Sequence, residues 1–333
     1  MGGEYVDGSI YFYAPRKGVA AFFAIAFAAS SLYHAYQCVH YASWRITGLY
    51  VVCGIFFTAG FIVREMGAFD YSDIIKYIVQ ICLIYAAPPL LELANYNILG
   101  RILYYAPYHS PIHPGRVITT FALISVVIEA LNGNGAALVA NTTLPEWKQE
   151  IGRSLLKAAL LIQIAVIGLF LILAFTFHRR CARAGTLNSR LTNVLYTLYA
   201  STFLITTRTI FRVVEYYSIA DFHWDDPNID PSTLSPIIRY EWFFYVFEAG
   251  LMLINHVLMN VRHPRKYLPK SAKTYLKRDG VTEVTGPGYK DGRSFIVTVL
   301  DPFGVWGMLK GKKNERFWEE DEDSNGKGKT EGV

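Results

Sequence analysis

The sequence predicts an all-α integral membrane protein, a bundle of seven transmembrane helices. Hydrophobic residues make up 52% of the 333 residues, and charged residues only 18%. A soluble protein carries about a quarter of its residues as Asp, Glu, Lys and Arg to cover its surface. The apolar residues are also gathered into seven runs, each close to the roughly 20 residues that a helix needs to cross a bilayer. Composition and run length together argue against a soluble fold.

The seven apolar runs each predict one transmembrane helix. They cover residues 18–40, 46–63, 78–99, 117–140, 155–177, 191–211 and 242–261. The first run contains no Asp, Glu, Lys or Arg, and further apolar runs follow it where a secreted protein would have a soluble domain. We therefore interpret it as a span and not as a removable signal peptide. The chain divides into an extracellular N-terminal segment (1–17), a seven-span membrane domain (18–264) and a tail (265–333).

The tail differs from the rest of the chain in composition. It is rich in Lys, Gly and Asp and contains the acidic run 319–323. A segment with so few apolar residues does not bury enough surface to fold alone. We therefore expect a largely disordered tail, and its sequence identifies no cytosolic partner.

The distribution of Lys and Arg predicts the orientation in the membrane. The loops on the side of the C-terminus carry about twice as many Lys and Arg residues as those on the other side. Because positively charged loops stay in the cytosol, the N-terminus should lie outside and the C-terminus inside. Asn141 begins the glycosylation acceptor Asn-Thr-Thr in a loop that this topology places outside. We expect Asn141 to be glycosylated.

Several classes of function find no support in the sequence. The net charge of +5 is modest and does not indicate a nucleic-acid partner. There is no nucleotide-binding P-loop, no G-x-S-x-G nucleophile elbow and no H-E-x-x-H zinc motif. Four cysteines lie far apart, which argues against a zinc ribbon or a disulfide framework. They are Cys38, Cys53, Cys82 and Cys181. We therefore expect no enzyme activity, no cofactor and no metal. We interpret His34, Gln37 and His40 as polar residues that anchor a helix end at the membrane interface.

Ionisable residues at the end of the sixth apolar segment and the beginning of the seventh are the most informative feature. A charged group in hydrocarbon costs at least about 2.5 kcal/mol, so it must face a partner or a wet cavity. In both segments polar residues recur at offsets of four and seven, which puts them on one face of a helix. They are Arg208, Arg212 and Glu215 in the sixth, and Glu241, Tyr245 and Glu248 in the seventh.

These two polar faces predict a shared cluster. Consecutive spans run antiparallel, so if Glu215 and Glu241 lie at one level, Arg208 and Glu248 meet about 10 Å deeper. Two arginines would then face three glutamates. The cluster either binds substrate or serves as a clamp between helices, and the sequence leaves both interpretations open.

Other polar residues extend the predicted cavity across the outer half of the bilayer. Glu92 is the exception, because its position in the third span places it in the inner half. The residues assigned to the outer half are Arg64, Glu129, Asn132 and Gln163. We interpret them as a polar cavity that opens toward the outer leaflet, with Glu92 on a deeper path.

Pro88 and Pro89 lie in the middle of the third span. Proline has no N–H to donate to the carbonyl four residues earlier, so the pair should kink or break the helix. The carbonyls of Ile84 and Tyr85 would then need another partner at membrane depth. We predict a functional break at this point, and a harmless kink is the alternative.

An ordered set of motifs runs through the membrane domain from about residue 11 to 265. It consists of Tyr13-Ala14-Pro15, Gly60 with Arg64, Gln80 with Ala87-Pro88, Tyr96 and Gly100-Arg101, Gly152 with Gln163, Arg208 with Phe211-Arg212 and Glu215, and Glu241 with Tyr245, Phe247 and Glu248. In these motifs the chain resembles the fungal RTA-like family of heptahelical lipid-translocating exporters, which includes aminocholesterol- and sphingoid-base-resistance proteins. The resemblance adds Gln80 to the candidate cavity residues.

The resemblance implies a protein of the fungal plasma membrane that moves amphipathic lipids or related small molecules and confers resistance to toxic ones. The sequence also departs from the family pattern. Phe57 and Ser125 stand where the family usually has Glu and Asp, Glu248 replaces an Asp, and Glu92 and Glu129 are additional acids. The substrate therefore cannot be carried over from the family. A seven-helix lipid receptor and an intramembrane lipid hydrolase are the alternative functions.

Overall fold

A computed structural model describes residues 6, 9–11, 13–140, 144–220, 235–287 and 318. These residues form an all-α bundle with one small β-hairpin. The long helices are α1 (Val19–His40), α2 (Trp44–Gly67), α3 (Ile74–Tyr105), α4 (Pro114–Ala140), α5 (Glu146–Arg183) and α6 (Ser189–Ala220). Then come α7 (Pro236–Arg239), α8 (Glu241–Phe244), a π-helical stretch (Tyr245–Gly250), α9 (Leu251–Val261), β1 (Thr274–Leu276) and β2 (Glu283–Thr285). Two short 3₁₀ turns, Pro107–His109 and Pro264–Lys266, complete the described elements.

The predicted fold class is confirmed, because each of the seven apolar runs coincides with helix. Six helices in the described part of the chain are long and apolar enough to cross a membrane, and α6 is as long but more polar. The hydroxyls of α6 are largely satisfied inside the helix, since Thr202, Thr206 and Thr209 donate to carbonyls four residues earlier at 2.7–2.9 Å. Such internal bonding makes a polar helix compatible with a bilayer.

Aromatic rings hold the first two helices and the seventh span together. Phe27 of α1 stacks on Phe57 of α2 with ring centroids 4.3 Å apart, and Phe23 lies parallel to Tyr245 at 5.5 Å. On the opposite face of α1, Ile25 and Leu32 are exposed. Large apolar side chains that point away from the core are the arrangement expected of a helix that faces lipid.

The seventh span is not a regular α-helix. α8, the π-helical stretch and α9 follow one another without a gap, and the amide of Leu251 donates to the carbonyl of Val246 five residues earlier. A π-type turn is wider than an α-turn. The offsets of four and seven that predicted one face from Glu241 to Glu248 therefore do not hold across this stretch.

Pro88 and Pro89 do not end a helix, because α3 continues through both of them to Tyr105. The predicted break is therefore wrong, and a kink stays a prediction. The flanking turns keep the helix intact on both sides of the missing N–H groups, as membrane helices commonly do.

The part of the tail that the structure describes is ordered, unlike the expectation. β1 and β2 pair in antiparallel register. The buried side chain of Arg101 at the end of α3 donates to the carbonyls of Ser271 and Thr274 at 2.5 and 3.2 Å. Isolated hairpins are only marginally stable in water, so these contacts with the bundle stabilise the hairpin. Composition alone does not show such contacts. The remainder of the tail, apart from residue 318, and Asn141 lie outside the described residues.

A turn signal accounts for the hairpin. Asp279 precedes Gly280, which adopts the left-handed conformation with φ of 71°, and Asp-Gly between two strand-forming runs is a strong hairpin signal. The Thr282 hydroxyl and the backbone amides of Thr282 and Val281 donate to the Asp279 carboxylate. These hydrogen bonds lower the pKa of Asp279.

Two glycines allow α4 and α5 to pack closely. A Cβ added to Gly152 would lie 2.8 Å from the backbone oxygen of Gly135, and one added to Gly135 would lie 3.0 Å from the oxygen of Gly152. Small residues at such crossings let helix backbones approach each other in membranes. The approach sets the distance between the two helices that carry Glu129 and Gln163.

We expect Gly152→Val to destabilise the protein by about 1–3 kcal/mol, the usual range for an overpacked core. The added side chain meets backbone, which cannot rotate away. Thermal unfolding of the purified protein in detergent would measure the effect. Gly168→Ala is the matched control, because a Cβ at Gly168 of the same helix has nothing within 4 Å. Equal unfolding temperatures for the two variants would contradict the close approach.

Candidate functional site

Arg208 and Glu248 form a buried ion pair between α6 and the π-helical stretch. The Arg208 Nε lies 2.9 and 2.8 Å from the two Glu248 oxygens, and Nη2 lies 2.5 Å from Oε1. Glu248 is fully buried and Arg208 is 5% exposed. The predicted contact between these two residues is confirmed. Two parallel hydrogen bonds between guanidinium and carboxylate make this the strongest geometry for such a pair.

Arg212 and Glu215 pair with each other one turn further along α6. Arg212 Nη1 also donates to the Tyr85 hydroxyl of α3 at 2.7 Å, and the guanidinium lies over the Tyr85 ring at 3.9 Å. Tyr85 thus joins α3 to α6 through both its hydroxyl and its ring face.

Glu241 faces α2 instead of α6, so the single cluster of two arginines and three glutamates is wrong. Its Oε1 accepts from Arg64 Nη2 at 3.1 Å, and its Oε2 accepts from the backbone amide of Arg16 at 3.0 Å. Arg64 also donates to the hydroxyls of Tyr245 and Tyr13 at 3.2 and 3.3 Å. The wider π-type turn between Glu241 and Glu248 explains why the two acids point to different neighbours.

Glu92 is buried beside Gln163. The Gln163 amide donates to Glu92 Oε1 at 2.7 Å, and the Tyr96 hydroxyl donates to Oε2 at 3.3 Å. The sequence had placed Glu92 in the inner half of the bilayer and Gln163 in the outer half. Because the two side chains touch, they share one level of the bundle, and the separate deeper path for Glu92 is wrong.

A groove with a volume of about 290 Å³ runs between α3, α4, α5 and α6. Arg208, Arg212 and Gln163 supply polar groups to it, and Glu129 and Asn132 line its α4 side. Glu129 is exposed. The remaining lining is mostly apolar and includes Ile81, Cys82, Pro89, Leu156 and Leu160. The groove is therefore amphipathic.

A second, smaller cavity of about 120 Å³ lies at the end of the bundle that carries the Arg64 pair. Gln80 borders it together with Arg64, Glu215 and Tyr77. We call it the Gln80 chamber. The predicted site residues divide between the two cavities. The groove is lined by Pro89, Glu129, Asn132, Gln163, Arg208 and Arg212, and the Gln80 chamber by Arg64, Gln80 and Glu215. Five predicted residues line neither of them: Pro88, Glu92, Glu241, Tyr245 and Glu248.

Tyr85 is the main site residue that the sequence analysis missed. A tyrosine within an apolar span needs a partner for its hydroxyl, and this need was the signal in the sequence that could have identified Tyr85.

The interpretation of His34 and Gln37 as residues that anchor a helix end at the membrane interface is wrong, because both are buried. His34 Nε2 donates to the backbone carbonyl of His256 at 3.0 Å, and Gln37 donates to the carbonyl of Asn260 at 2.8 Å. Among the described residues no group of three His, Cys, Asp or Glu side chains is placed to hold a metal.

Comparisons with known proteins support the resemblance noted in the sequence. The family model described as RTA1 like protein matches residues 50–271. A protein of Leptosphaeria maculans named lipid-translocating exporter-like protein RTA1 is 42% identical over 299 residues, which is 85% of this chain and 56% of that protein. A protein of Ajellomyces capsulatus with the same name is 29% identical over 281 residues, covering 80% of this chain and 83% of the relative.

A third relative, the probable lipid transporter atnI of Emericella nidulans, is 24% identical over 278 residues, 78% of this chain and 69% of the relative. No solved structure matches the chain. The region of similarity spans a little over half the length of the first of these relatives, the protein of Leptosphaeria maculans. The family model matches residues 50–271, and the first relative is 42% identical over 85% of this chain. This chain therefore belongs to the RTA1-like protein family.

Proposed function

We propose that the protein moves amphipathic lipids across the membrane in which it lies, and that this membrane is the fungal plasma membrane. The relatives named as lipid-translocating exporters and as a probable lipid transporter support the proposal. Removal of toxic amphiphiles would make the cell resistant to them. The proposed orientation has the N-terminus outside and the C-terminus in the cytosol, as the distribution of Lys and Arg predicts.

The observation that carries the proposal is the amphipathic groove between α3 and α6. Its apolar wall, with Ile81, Leu156 and Leu160, suits an acyl chain. Glu129 on the α4 side suits the polar end of the same molecule. Ligand sites of this kind are mostly apolar with a few polar groups that fix orientation. A lipid that crosses a bilayer needs both surfaces at once, because its head group must not lose all polar contacts in hydrocarbon.

The charges at the groove favour a cationic head group. Arg208 and Arg212 are already paired with Glu248 and Glu215, whereas Glu129 is exposed within the groove lining. A carboxylate in that position attracts an amine through a charge-assisted hydrogen bond. A long-chain amino alcohol is therefore the substrate class that the groove fits best.

The test is leaflet-resolved movement of a fluorescent long-chain amino alcohol in vesicles that contain only this protein. Glu129→Gln should lower the apparent affinity about tenfold or more, because a hydrogen bond to a charged group contributes about 1.5–3 kcal/mol. Glu150→Gln is the matched control, since Glu150 is an exposed acid at the start of α5 and outside the groove. An equal apparent affinity of Glu129→Gln and Glu150→Gln for the amino alcohol would contradict a role of the groove in recognising the amine.

Cys82 provides a second readout that does not depend on movement. It lines the groove and is exposed, whereas the other three cysteines are buried. The amino alcohol should slow the reaction of Cys82 with a maleimide if it occupies the groove. Unchanged labelling at a saturating concentration would show that the lipid binds elsewhere.

A further inference from the structure

The Gln80 chamber contains a buried amide without a partner. Neither Nε2 nor Oε1 of Gln80 has a hydrogen-bond partner among the described residues, and the side chain is fully buried. Buried polar groups in native proteins are nearly always hydrogen-bonded. An amide that borders a cavity and lacks a protein partner points to a molecule that enters the cavity.

Close packing of α2 on α3 builds the wall of the chamber. A Cβ added to Gly60 of α2 would lie 2.6 Å from Cγ1 of Ile84 and 3.2 Å from its backbone nitrogen. The glycine therefore lets α3 approach α2. Gln80 lies one turn before Ile84 on α3, and Arg64 lies one turn after Gly60 on α2, so the same approach brings both side chains to one cavity.

The charged residues of the chamber are already neutralised by the protein. Arg64 pairs with Glu241, and Glu215 pairs with Arg212. A charged ligand would have to compete with these buried pairs. The Gln80 amide offers one acceptor and two donor hydrogens, which matches a hydroxyl group that both donates and accepts.

The chamber adjoins the groove. Ile81 and Tyr85 line both cavities, and Tyr85 is held between them by its hydrogen bond to Arg212. A head group in the chamber could therefore belong to a molecule whose chain lies in the groove. The volume of about 120 Å³ is several times the space that one water molecule needs.

We propose that the Gln80 chamber is a binding subsite for the uncharged, hydroxyl-bearing part of a lipid head group, with Gln80 as the residue that determines this specificity. The proposal rests on the lipid-translocating function proposed above. It adds to that function a site that separates hydroxylated lipids from those without the hydroxyl.

The test compares two probes in vesicles that contain the full-length protein: a fluorescent long-chain amino alcohol and the same compound without its terminal hydroxyl. The wild-type protein should move the hydroxylated probe about tenfold faster or more, because a site built to bind a hydroxyl discriminates strongly against its absence. Gln80→Met should lower the rate for the hydroxylated probe to that of the other probe. The rate for the probe without the hydroxyl should not change.

Asn255→Leu is the matched control. Asn255 is also fully buried with an amide that has no partner among the described residues, but it lines neither the groove nor the Gln80 chamber. The preference for the hydroxylated probe should survive in this variant. Gln80→Leu repeats the comparison if Gln80→Met does not fold.

Three outcomes would overturn the proposal. A wild-type protein without a preference, or a preference that Gln80→Met retains, would mean that the chamber holds water only. Loss of the preference in Asn255→Leu as well would show a general effect of removing a buried amide. If the wild-type protein moves neither probe, the proposed function has failed. Equilibrium binding of both probes to the purified wild-type protein and variants then tests the subsite separately. The subsite requires that the wild-type protein binds the hydroxylated probe more tightly and that Gln80→Met loses this preference.

Discussion

Glu248→Leu is expected to destabilise the protein by about 3–5 kcal/mol, the usual result of removing one member of a buried ion pair. Arg208 would keep its charge in a place where only 5% of the residue is exposed. The Tyr85 ring would remain beside it, with its centroid 5.9 Å from the guanidinium carbon. A cation–π contact at that distance is too weak to replace a two-pronged ion pair.

The double variant Arg208→Met with Glu248→Leu should recover most of the lost stability, because no unpaired charge is left. Unfolding midpoints of the two single variants and the double variant in detergent, together with their surface abundance in cells, form a double-mutant cycle. Additive losses would contradict the pairing. That result would mean that each residue acts through other neighbours.

The reversed pair Arg208→Glu with Glu248→Arg separates the clamp from a role in substrate binding. The pair can still form, so we expect folding and abundance to recover. Arg208 lines the groove, and its reversal to a carboxylate changes the field where the head group binds. Movement of the amino alcohol should therefore stay impaired. Full recovery of both abundance and movement would leave only the clamp.

Arg64→Leu is the second change with a large expected effect, again about 3–5 kcal/mol. Arg64 is 4% exposed and donates to Glu241, Tyr245 and Tyr13. Its guanidinium also lies 4.1 Å from the Phe244 ring centroid. Removal leaves the buried Glu241 carboxylate with the Arg16 amide, and it removes the hydrogen bond that joins Tyr13 of the N-terminal segment to α2. We expect the segment around Tyr13 to become more mobile.

Two measurements check this prediction. The unfolding midpoint reports the loss of stability, and trypsin cleavage after Arg16 or Lys17 reports release of the N-terminal segment. Both residues are exposed, so faster cleavage reflects the mobility of the segment around them. Arg45→Lys is the control, because Arg45 is an exposed helix residue and surface changes usually stay within about 0.5 kcal/mol. Unchanged cleavage in Arg64→Leu would contradict the link between Arg64 and the segment.

The helices could be predicted from the sequence because the signal is local. Each apolar run must satisfy its backbone hydrogen bonds within itself in lipid, so run length alone predicts a helix. The contact between Arg208 and Glu248 was predictable for a related reason. The two residues lie on adjacent antiparallel spans at matching distances from the connecting loop.

The partners of Glu241 and Glu92 could not be predicted in this way. Glu241 contacts Arg64, which lies 177 residues away, and Glu92 contacts Gln163, 71 residues away. Which helices are neighbours depends on packing across the whole bundle, and small residues such as Gly60 decide how closely α2 and α3 approach. The π-helical stretch also changed the direction of Glu241 relative to Glu248.

The sequence by itself determined that this chain is a bundle of membrane helices, which residues are charged within it, and the family to which it belongs. These properties follow from hydropathy and from motifs that can be read along the chain. Only the tertiary structure decided that the charges divide into separate buried pairs, that Gln80 lacks a partner beside a cavity, and that the tail begins with a docked hairpin. The reason is physical: a buried charge or amide is satisfied by whatever group the packed helices bring within about 3 Å, and that group is usually distant in sequence.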